Sequence, residues 1–482
     1  MSRGKQLGLD ARFVTTRSLD RLGLALFCAW AIGAIVVTIV RPGFLLEAAT
    51  AGIAGALLWS AVREARPTHP VVALAAGCAL VPLLNTWPAR VYHAAWESRV
   101  VLLAALLSLS SLVAGALLVL VRPQLRPRWS LVACAGGLAL AAAAVSTAFA
   151  DDLVAAAAGA WSAIVVPVAF AVVVATVVRS KADARLILTA LLAGALVPAT
   201  AGIGAYVLGF GVPWTPADLV EAKSALFRTQ LFQEITFGNV GHLADFALLL
   251  LPAALLLLFD REAPVHARII ASVAAAELTL CLLLVLSRGA LTIAAAILAA
   301  AGAVAMLRRS PAAIAPLAVS LLFVAVLLSP SVRGTLTPEV GGVSVVDPSA
   351  VERVNAAETG LEIARDALPE GVGSSRYLAY DPVHTAPHSL WIEVLAELGV
   401  LGLAALALIA AAVASAAWWL LRRPRLGSGE LVVGSAVAGS AAFLGHGLTA
   451  GAPLAVGRVN VWAIMLAVLV MLAAGAARSD DA

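Results

Sequence analysis

The stretch LLLVLSRGALTIAAAI, residues Leu282–Ile297, sets one arginine between two apolar runs. Arg288 is the only charged residue from Thr279 to Ala305, and Ser-Arg-Gly separates the two runs. Each run belongs to a longer apolar segment of about 20 residues, the length that crosses a hydrocarbon core of roughly 30 Å. The stretch therefore predicts two membrane-spanning helices joined by a tight turn that carries a single charge.

The rest of the chain has the same apolar character. Of 482 residues, 62% are hydrophobic and 12% are charged, and the mean hydropathy is +0.99. This composition excludes an ordinary soluble globular domain and is typical of proteins that cross a membrane many times. The pI of about 9.1 calls for no nucleic-acid partner, because membrane topology explains most of the basic excess. The predicted fold class is an all-α polytopic membrane protein.

Hydropathy predicts about fourteen spans, and the distribution of basic residues predicts their direction. The spans lie at residues 22–40, 44–62, 70–87, 100–121, 130–149, 153–178, 186–210, 241–259, 269–286, 289–307, 312–330, 390–421, 431–450 and 456–477. Lys and Arg collect in the amino-terminal tail and then in every second loop, and such loops are cytoplasmic. Both termini are therefore predicted to lie in the cytoplasm.

This topology divides the chain into seven parts. They are a basic cytoplasmic tail (1–21), transmembrane helices 1–7 (22–210), an extracytoplasmic loop (211–240), helices 8–11 (241–330), a large extracytoplasmic loop (331–389), helices 12–14 (390–477) and a short cytoplasmic tail (478–482). In the large loop, Val354, Ala357, Leu361, Ile363 and Ala364 repeat at helical spacing and predict an amphipathic helix that ends at Pro369. The GVGSS that follows predicts a glycine turn.

Arginines outside the cytoplasm are the candidate binding residues, because the topology rule disfavours them there. Arg288 is predicted to face a cavity or a partner, with snorkelling to lipid headgroups as the alternative. Arg353 lies in the predicted loop helix, where an ordinary surface salt bridge is the alternative. Arg228 and Arg376 are further candidates. Guanidinium groups bind phosphate oxygens in pairs of hydrogen bonds, so two converging arginines would suit a diphosphate, the activating group of polyprenyl-linked sugars.

A histidine at the mouth of the twelfth span is the candidate general base. His388 comes directly before this span, Ser389 is the predicted N-cap, and the spacing of Glu393 and Glu397 puts both carboxylates on one helical face. A neutral imidazole can take a proton from an attacking sugar hydroxyl. The alternative is that His388 only caps the helix and meets headgroups. His384 is a second candidate base, and spacing does not choose between the two.

Four segments in this order resemble the O-antigen ligase and O-antigen polymerase superfamily of bacterial polysaccharide assembly. They are FQEITFGNVGHLADFALLLLPAAL (Phe232–Leu255), LSRGALTIAA (Leu286–Ala295), ERVNAAETGLEIARDALPEGVGSSRY (Glu352–Tyr377) and HSLWIEVLAELGVLGL (His388–Leu403). The chain departs from the family pattern at Gly241 and His242, at a missing tryptophan in the third segment, and at Ser389, where asparagine is usual. These departures bear on the acceptor more than on the chemistry.

The resemblance implies a GT-C-like membrane glycosyltransferase that is inverting and needs neither metal nor cofactor. Its donor would be a glycan on polyprenyl (undecaprenyl) diphosphate. By the resemblance, Arg288 and Arg353 would grip the diphosphate and His388 would activate the acceptor hydroxyl. Glu397 would have a supporting part, and Gly371 and Gly373 match the family's loop glycines.

The expected location is the bacterial cytoplasmic membrane, with the active site on its outer face. The expected partners are the lipid-linked donor, a glycan or lipid acceptor, membrane lipid and other polysaccharide-assembly proteins. A polymerase joins glycan to glycan, whereas a ligase transfers to another acceptor, and the sequence leaves both open. A transporter or flippase of a lipid-linked sugar or small anion is the alternative, although Glu277 and Asp245 have no matching positions elsewhere in the chain. A structural partner in assembly is a third reading.

Overall fold

The computed structural model describes residues 45–65, 67–68, 70–79, 131–208, 240–285, 287–329, 339–340, 343–344, 348–381, 387–424, 426–448 and 461–469. The helices within these ranges are α1 (Leu45–Ala65), α2 (Pro70–Ala79), α3 (Leu131–Phe149), α4 (Leu153–Ala160), α5 (Val166–Val177), α6 (Lys181–Leu208), α7 (Val240–Leu257), α8 (Val265–Val285), α9 (Arg288–Leu307), α10 (Ile314–Leu327), α11 (Pro348–Asp366), α12 (Tyr377–Tyr380), α13 (Leu390–Arg422) and α14 (Ser428–His446). Residues 461–469 form a further helix.

Short irregular elements complete this helical fold. A π-helical turn, Trp161–Val165, joins α4 to α5 in one rod, and a 3-10 turn, Pro311–Ala313, precedes α10. Glu339–Val340 (β1) and Val343–Ser344 (β2) pair as an antiparallel hairpin. The predicted all-helical class is thus confirmed for the described part of the chain.

Seven helices of the described part are long and apolar enough to cross a membrane. They are α3, the α4–α5 rod, α6 as far as Thr200, α8, α9, α13 and α14. Each coincides with a span predicted from hydropathy, whereas the predicted spans at 22–40 and 100–121 lie outside the described residues. The total of about fourteen spans therefore stays a prediction, as do the terminal tails and the loop at 211–240.

The core of the bundle forms around α7. Every residue from Leu243 to Leu257 is buried, although Asp245 is the only charged residue among them. A helix that is apolar on all sides has no face to present to water and is stable only inside a bundle or a membrane. Helices α6, α8, α9 and α14 surround it, and together they form one continuous apolar cluster.

Glycines allow the helices of this core to pack closely. A Cβ built on Gly439 of α14 would lie 2.2 Å from the carbonyl oxygen of Leu249 in α7, closer than any real contact. A Cβ built on Gly194 of α6 would lie 2.1 Å from the carbonyl oxygen of Ala79 in α2. Small residues at helix crossings are the usual device for packing inside membranes, where burial gives little driving force between helices.

Polar contacts define one end of the bundle, here called the basic end. Arg185 at the start of α6 donates from Nε to Asp260 at 2.6 Å and from a terminal nitrogen to Glu262 at 3.0 Å, and it also bonds Ser428 at the start of α14. Arg308, after α9, bonds the Leu421 carbonyl near the end of α13. The starts of α6, α8 and α14 therefore lie at the same end as the ends of α9 and α13.

The opposite end is here called the loop end. The amide nitrogen of Leu390, where α13 begins, donates to the carbonyl oxygen of Gly447 just after α14, at 2.7 Å. Because α9 and α13 run from this end to the basic end, Arg288 and His388 both lie at the loop end. The helix directions that the sequence predicts for these segments agree with this arrangement.

The predicted helix in the large loop exists as α11, but only part of the predicted apolar repeat lies on its buried face. Val354 and Leu361 are 55% and 49% exposed, whereas Ala356, Gly360 and Ala364 are buried. Small residues four apart let α11 approach α13 closely, and a Cβ on Gly360 would lie 2.7 Å from Cβ of Pro387. The residues of α11 that are buried are the small ones, because they let the two backbones approach closely. A pattern of large apolar side chains does not predict this kind of contact.

Two glycines of α14 provide a matched test of this packing. We expect Gly439→Ala to lower the melting temperature in detergent by several degrees, because overpacking costs about 1–3 kcal/mol. Gly434→Ala is the control, since its new methyl group would meet Leu256 at an ordinary 3.6 Å. That substitution should be neutral or slightly stabilising, because alanine reduces the entropy of the unfolded chain. Equal melting temperatures for the two variants would contradict the close crossing of α7 and α14.

Candidate functional site

The site is organised by a break in α13. Gly399 has φ 63° and ψ −158°, a conformation outside the helical region, in the middle of an otherwise continuous helix. A Cβ at this position would lie 2.0 Å from the carbonyl oxygen of Pro369. Glycine alone combines this conformation with this closeness, so the break depends on Gly399.

The break frees backbone groups of α13, and the loop after α11 binds them. Three hydrogen bonds link the segments: Val372 N–H to Ala396 carbonyl at 2.9 Å, Gly373 N–H to Glu397 carbonyl at 3.0 Å, and Val400 N–H to Pro369 carbonyl at 3.0 Å. These bonds replace those that an unbroken helix would make. The loop is therefore fixed to α13 by main-chain geometry.

The side chain of Glu397 completes this attachment. One carboxylate oxygen accepts the Ser375 N–H at 2.7 Å and the other accepts the Tyr377 N–H at 3.1 Å. The residue is 2% exposed. Because both side-chain oxygens accept backbone N–H groups of one short segment, Glu397 holds the loop from 375 to 377 as a clamp. The supporting part in catalysis expected for this glutamate stays a prediction.

The two glycines of the GVGSS turn are needed for its shape. Gly371 and Gly373 have φ values of 83° and 101°, in the left-handed region that favours glycine. A Cβ on Gly371 would lie 2.5 Å from the Glu397 carbonyl oxygen, and one on Gly373 would lie 2.9 Å from Cβ of Ala150 and of Ala156. Both glycines therefore serve the packing of the loop between α13 and the α3–α4 turn.

The far side of the loop docks on that turn. The Tyr380 hydroxyl donates to Asp151 at 2.6 Å, and this hydrogen bond raises the pKa of the phenol. Arg376 lies 3.5 Å from the carboxylate of Asp152. The guanidinium predicted to bind substrate is thus paired with a carboxylate of α4's N-cap, an arrangement that gives it a tethering role.

Tyr377 ties the loop to α11. Its hydroxyl oxygen lies 3.1 Å from Asp381 and 3.2 Å from the carbonyl oxygen of Ala356. Burial and the contact with Asp381 raise the pKa of this phenol. Loop, α11, α12 and the first turns of α13 therefore form one connected unit at the loop end.

His388 lies at the edge of this unit, in a left-handed conformation with φ 50° and with its side chain half-buried. Such a conformation is uncommon outside glycine and asparagine, and the neighbouring contacts hold it. Pro387 packs on Gly360 of α11, and Leu390 bonds to Gly447. Ser389 occupies the N-cap position as predicted, although its side chain makes no capping hydrogen bond.

The two principal arginines differ in their surroundings. Arg288 is half-buried and opens α9, whose N-cap Ser287 accepts the Ala290 N–H at 3.4 Å. Farther along α9, the side chain of Ile293 would lie 3.5 Å from a Cβ built on Gly445, so this part of α9 packs beside the end of α14.

Arg353 is exposed near the start of α11. It precedes Ala356 by three residues and Gly360 by seven, spacings that put it on the same helical face as these buried residues. Through Gly360, that face packs against Pro387, the residue before His388.

The other predicted site residues are either buried in α13 or outside the described part of the chain. Glu393 and Glu397 are both buried, as expected for carboxylates on one helical face. Arg228 and His384 lie outside the described residues. No group of three or more His, Cys, Asp or Glu that could hold a metal ion occurs in the described ranges, and metal-independent chemistry stays a prediction.

Sequence reasoning missed a buried pair at this end. His446 Nδ1 lies 2.6 Å from a carboxylate oxygen of Asp245, and each side chain is 2% exposed. The only sequence signal was the cost of placing ionisable groups at the ends of apolar runs.

The clamp can be tested by removing its carboxylate. We expect Glu397→Ala to speed amide hydrogen exchange in a peptide covering residues 371–377, because the buried Tyr377 N–H and the partly buried Ser375 N–H lose their acceptor. Hydrogen–deuterium exchange mass spectrometry measures this directly. Glu362→Ala on the exposed face of α11 is the matched control and should leave the exchange unchanged. Unaltered exchange in a folded Glu397→Ala protein would show that the loop is held without the carboxylate.

Comparison with known proteins found a family model that matches part of the chain. The family model described as O-Antigen ligase matches residues 271–407, from α8 to the middle of α13. A search of curated proteins found no match for the chain. The matched segment contains Arg288, Arg353, the loop glycines, His388 and Glu397, and it indicates an O-antigen ligase-like function in a glycosyltransferase-type enzyme. The resemblance to the O-antigen ligase and polymerase superfamily is thereby confirmed for residues 271–407.

Proposed function

We propose that this protein is an inverting membrane glycosyltransferase that uses a glycan on polyprenyl (undecaprenyl) diphosphate as its donor. The acceptor is a hydroxyl of a sugar, a lipid or another molecule. The proposal is supported by the location of Arg288 and His388 at the loop end of an apolar bundle, with Arg353 on the helix α11 that packs on the start of α13, all within the matched segment. A lipid substrate reaches such a site by moving sideways through the bilayer.

The reaction is a direct displacement at the anomeric carbon. The acceptor oxygen forms a bond to this carbon while the carbon–oxygen bond to the diphosphate breaks. His388 takes the proton that the acceptor hydroxyl loses, and polyprenyl diphosphate leaves with the bonding electron pair. General-base assistance of this kind contributes about 10²- to 10⁴-fold in rate.

Positive charge at the diphosphate is the second contribution. Arg288 can form paired hydrogen bonds to phosphate oxygens, and its position at the first turn of α9 adds the positive end of a 20-residue helix. Arg353 is exposed and keeps its charge at any relevant pH. Fixed cations lower the barrier because charge grows on the leaving diphosphate in the transition state.

We place the site on the outer face of the bacterial cytoplasmic membrane. Basic residues at the opposite end of the bundle support this orientation: Arg63, Arg179, Lys181, Arg261, Arg268, Arg308, Arg309, Arg422 and Arg423. The guanidinium groups of Arg422 and Arg423 also stack on Trp418 and Trp419, at 4.8 and 4.4 Å from the ring centroids. Aromatic and basic residues together mark a membrane interface, and the basic excess marks the cytoplasmic one.

One observation bears on the transporter alternative. Glu277, inside α8, accepts a hydrogen bond from Thr200 of α6 at 2.9 Å, and ionisable groups at such depth occur along transport pathways. A flippase would move the lipid-linked glycan without breaking its diphosphate linkage. Release of polyprenyl diphosphate therefore separates the two functions, and the product identifies a polymerase by glycan–glycan linkage or a ligase by another acceptor.

Substitutions at the loop end test the proposed chemistry. With purified protein, lipid-linked glycan and acceptor, we expect His388→Ala to reduce release of polyprenyl diphosphate at least about 100-fold, as loss of a general base does. Arg288→Lys should reduce it strongly as well, because lysine keeps the charge but loses the paired hydrogen bonds. Chromatography of the released lipid measures both rates.

Controls come from the basic end. His266→Ala and Arg308→Lys alter the same residue types far from the loop end and should retain turnover. Full activity of a folded His388→Ala protein would exclude this base, and His384→Ala then tests the other candidate. Translocation without any cleavage in the wild-type protein would favour the flippase.

A further inference from the structure

We propose that Asp245 and His446 are a positioning pair that fixes the backbone of His388; the kinetic part of this inference rests on the proposed function. The pair joins α7 to the last residue of α14 through the 2.6 Å contact between the carboxylate and Nδ1. Asp245 lies in the first of the four resembling segments and His446 lies in none of them, and both residues lie outside the family match at 271–407.

A short path leads from this pair to the candidate base. His446 is followed by Gly447, whose carbonyl oxygen accepts the Leu390 N–H at 2.7 Å. Leu390 is two residues after His388 and begins α13. A Cβ on Gly447 would lie 2.9 Å from Cβ of Leu390, so the two backbones are in direct contact. A shift of the α14 end therefore moves the start of α13 and His388 with it.

A second contact that holds the backbone of His388 is made by the preceding residue, on the side of α11. Pro387 is buried against Gly360 of α11, so the histidine backbone is held between α11 and the end of α14. The left-handed φ of His388 persists only where both neighbours are fixed. The Asp245–His446 pair determines one of these two supports.

The physical cost of the pair argues for a geometric role. Asp245 is the only charged residue among the fully buried positions from Leu243 to Leu257, and burying an ion costs several kcal/mol before pairing compensates. An apolar pair would fill this space at no such cost, but it would lack a directional bond. What the pair adds is a fixed distance between α7 and the α14 terminus at the loop end.

His446 acts through the backbone rather than as the base itself. Its side chain is 2% exposed and its Nδ1 is engaged by the carboxylate. An acceptor hydroxyl cannot reach a ring enclosed in this way, whereas the half-buried His388 is open to one.

The test replaces the pair by apolar side chains of similar volume, Asp245→Leu with His446→Phe. Such a replacement preserves folding in many buried pairs, and it removes the directional bond. We expect kcat for release of polyprenyl diphosphate to fall about 10- to 100-fold, the effect of a displacement of about 1 Å at a reacting group. KM for the lipid donor should change less than about threefold, because Arg288 and Arg353 are untouched. Asp245→Asn, which still accepts a hydrogen bond from the imidazole, should restore kcat to within about threefold of the wild-type value.

A second measurement does not depend on turnover. Diethyl pyrocarbonate modifies histidines, and peptide mass spectrometry gives the modification rate of His388 relative to His266 in the same molecule. We expect this ratio to change at least about threefold in the double variant and to remain at the wild-type value in Asp245→Asn, since backbone placement controls access to the ring. Thr200→Val with Glu277→Leu removes a partly buried polar contact between α6 and α8 and should leave the ratio and kcat unchanged.

The outcomes separate the two proposals. If wild-type protein shows no release of polyprenyl diphosphate but the ratio shifts in the double variant, the proposed function fails and the positioning pair stands. A folded, monodisperse double variant with wild-type kcat and an unchanged ratio overturns the positioning pair and leaves the proposed function intact. A fall in kcat with an unchanged ratio also overturns it, because His388 would not have moved.

Discussion

The buried carboxylate of Glu397, at the point where α13 breaks, is the interaction on which the loop end depends. Without the break at Gly399, the carbonyl groups of Ala396 and Glu397 would bond within the helix and offer nothing to the loop. Without the side chain of Glu397, the buried Tyr377 N–H and the partly buried Ser375 N–H would lose their acceptor. Backbone and side chain together make a membrane-spanning helix the support of this loop, and the loop in turn joins α11, α12 and the α3–α4 turn.

At the loop end, the groups that hold the structure are buried and the candidate site residues are accessible. The groups that hold the structure, among them Glu397, Tyr377 and Asp381, are enclosed, whereas Arg288 and His388 are half-buried and Arg353 is exposed. Groups that meet a substrate need access, while those that position them need burial, because only desolvated contacts fix geometry tightly. This division, at the end of an apolar bundle, suits a substrate whose reactive part is polar and whose anchor is lipid.

The sequence predicted those features that lie in one continuous segment. The apolar runs around Arg288 predicted helices α8 and α9, and the spacing of Glu393 and Glu397 predicted one shared helical face. Sequence patterns failed where contacts between distant segments decide the structure. Val354 and Leu361 belong to the predicted apolar repeat of α11 but are exposed, because the close approach of Gly360 to Pro387 brings the small residues of this helix against its neighbour. Asp245 and His446 are 201 residues apart, so no local pattern could pair them. The roles of Gly371 and Gly399 likewise depend on a backbone that only the fold brings near.

The most direct test is a cryo-electron microscopy map of the full-length protein in lipid with bound polyprenyl diphosphate, using an antibody fragment to increase the particle's size. The account predicts that the diphosphate density contacts Arg288 and Arg353 at the loop end, beside His388, with the polyprenyl chain passing into the bilayer. Diphosphate bound at the basic end, or bound with Arg288 and His388 on separate sides of the bundle, would contradict it.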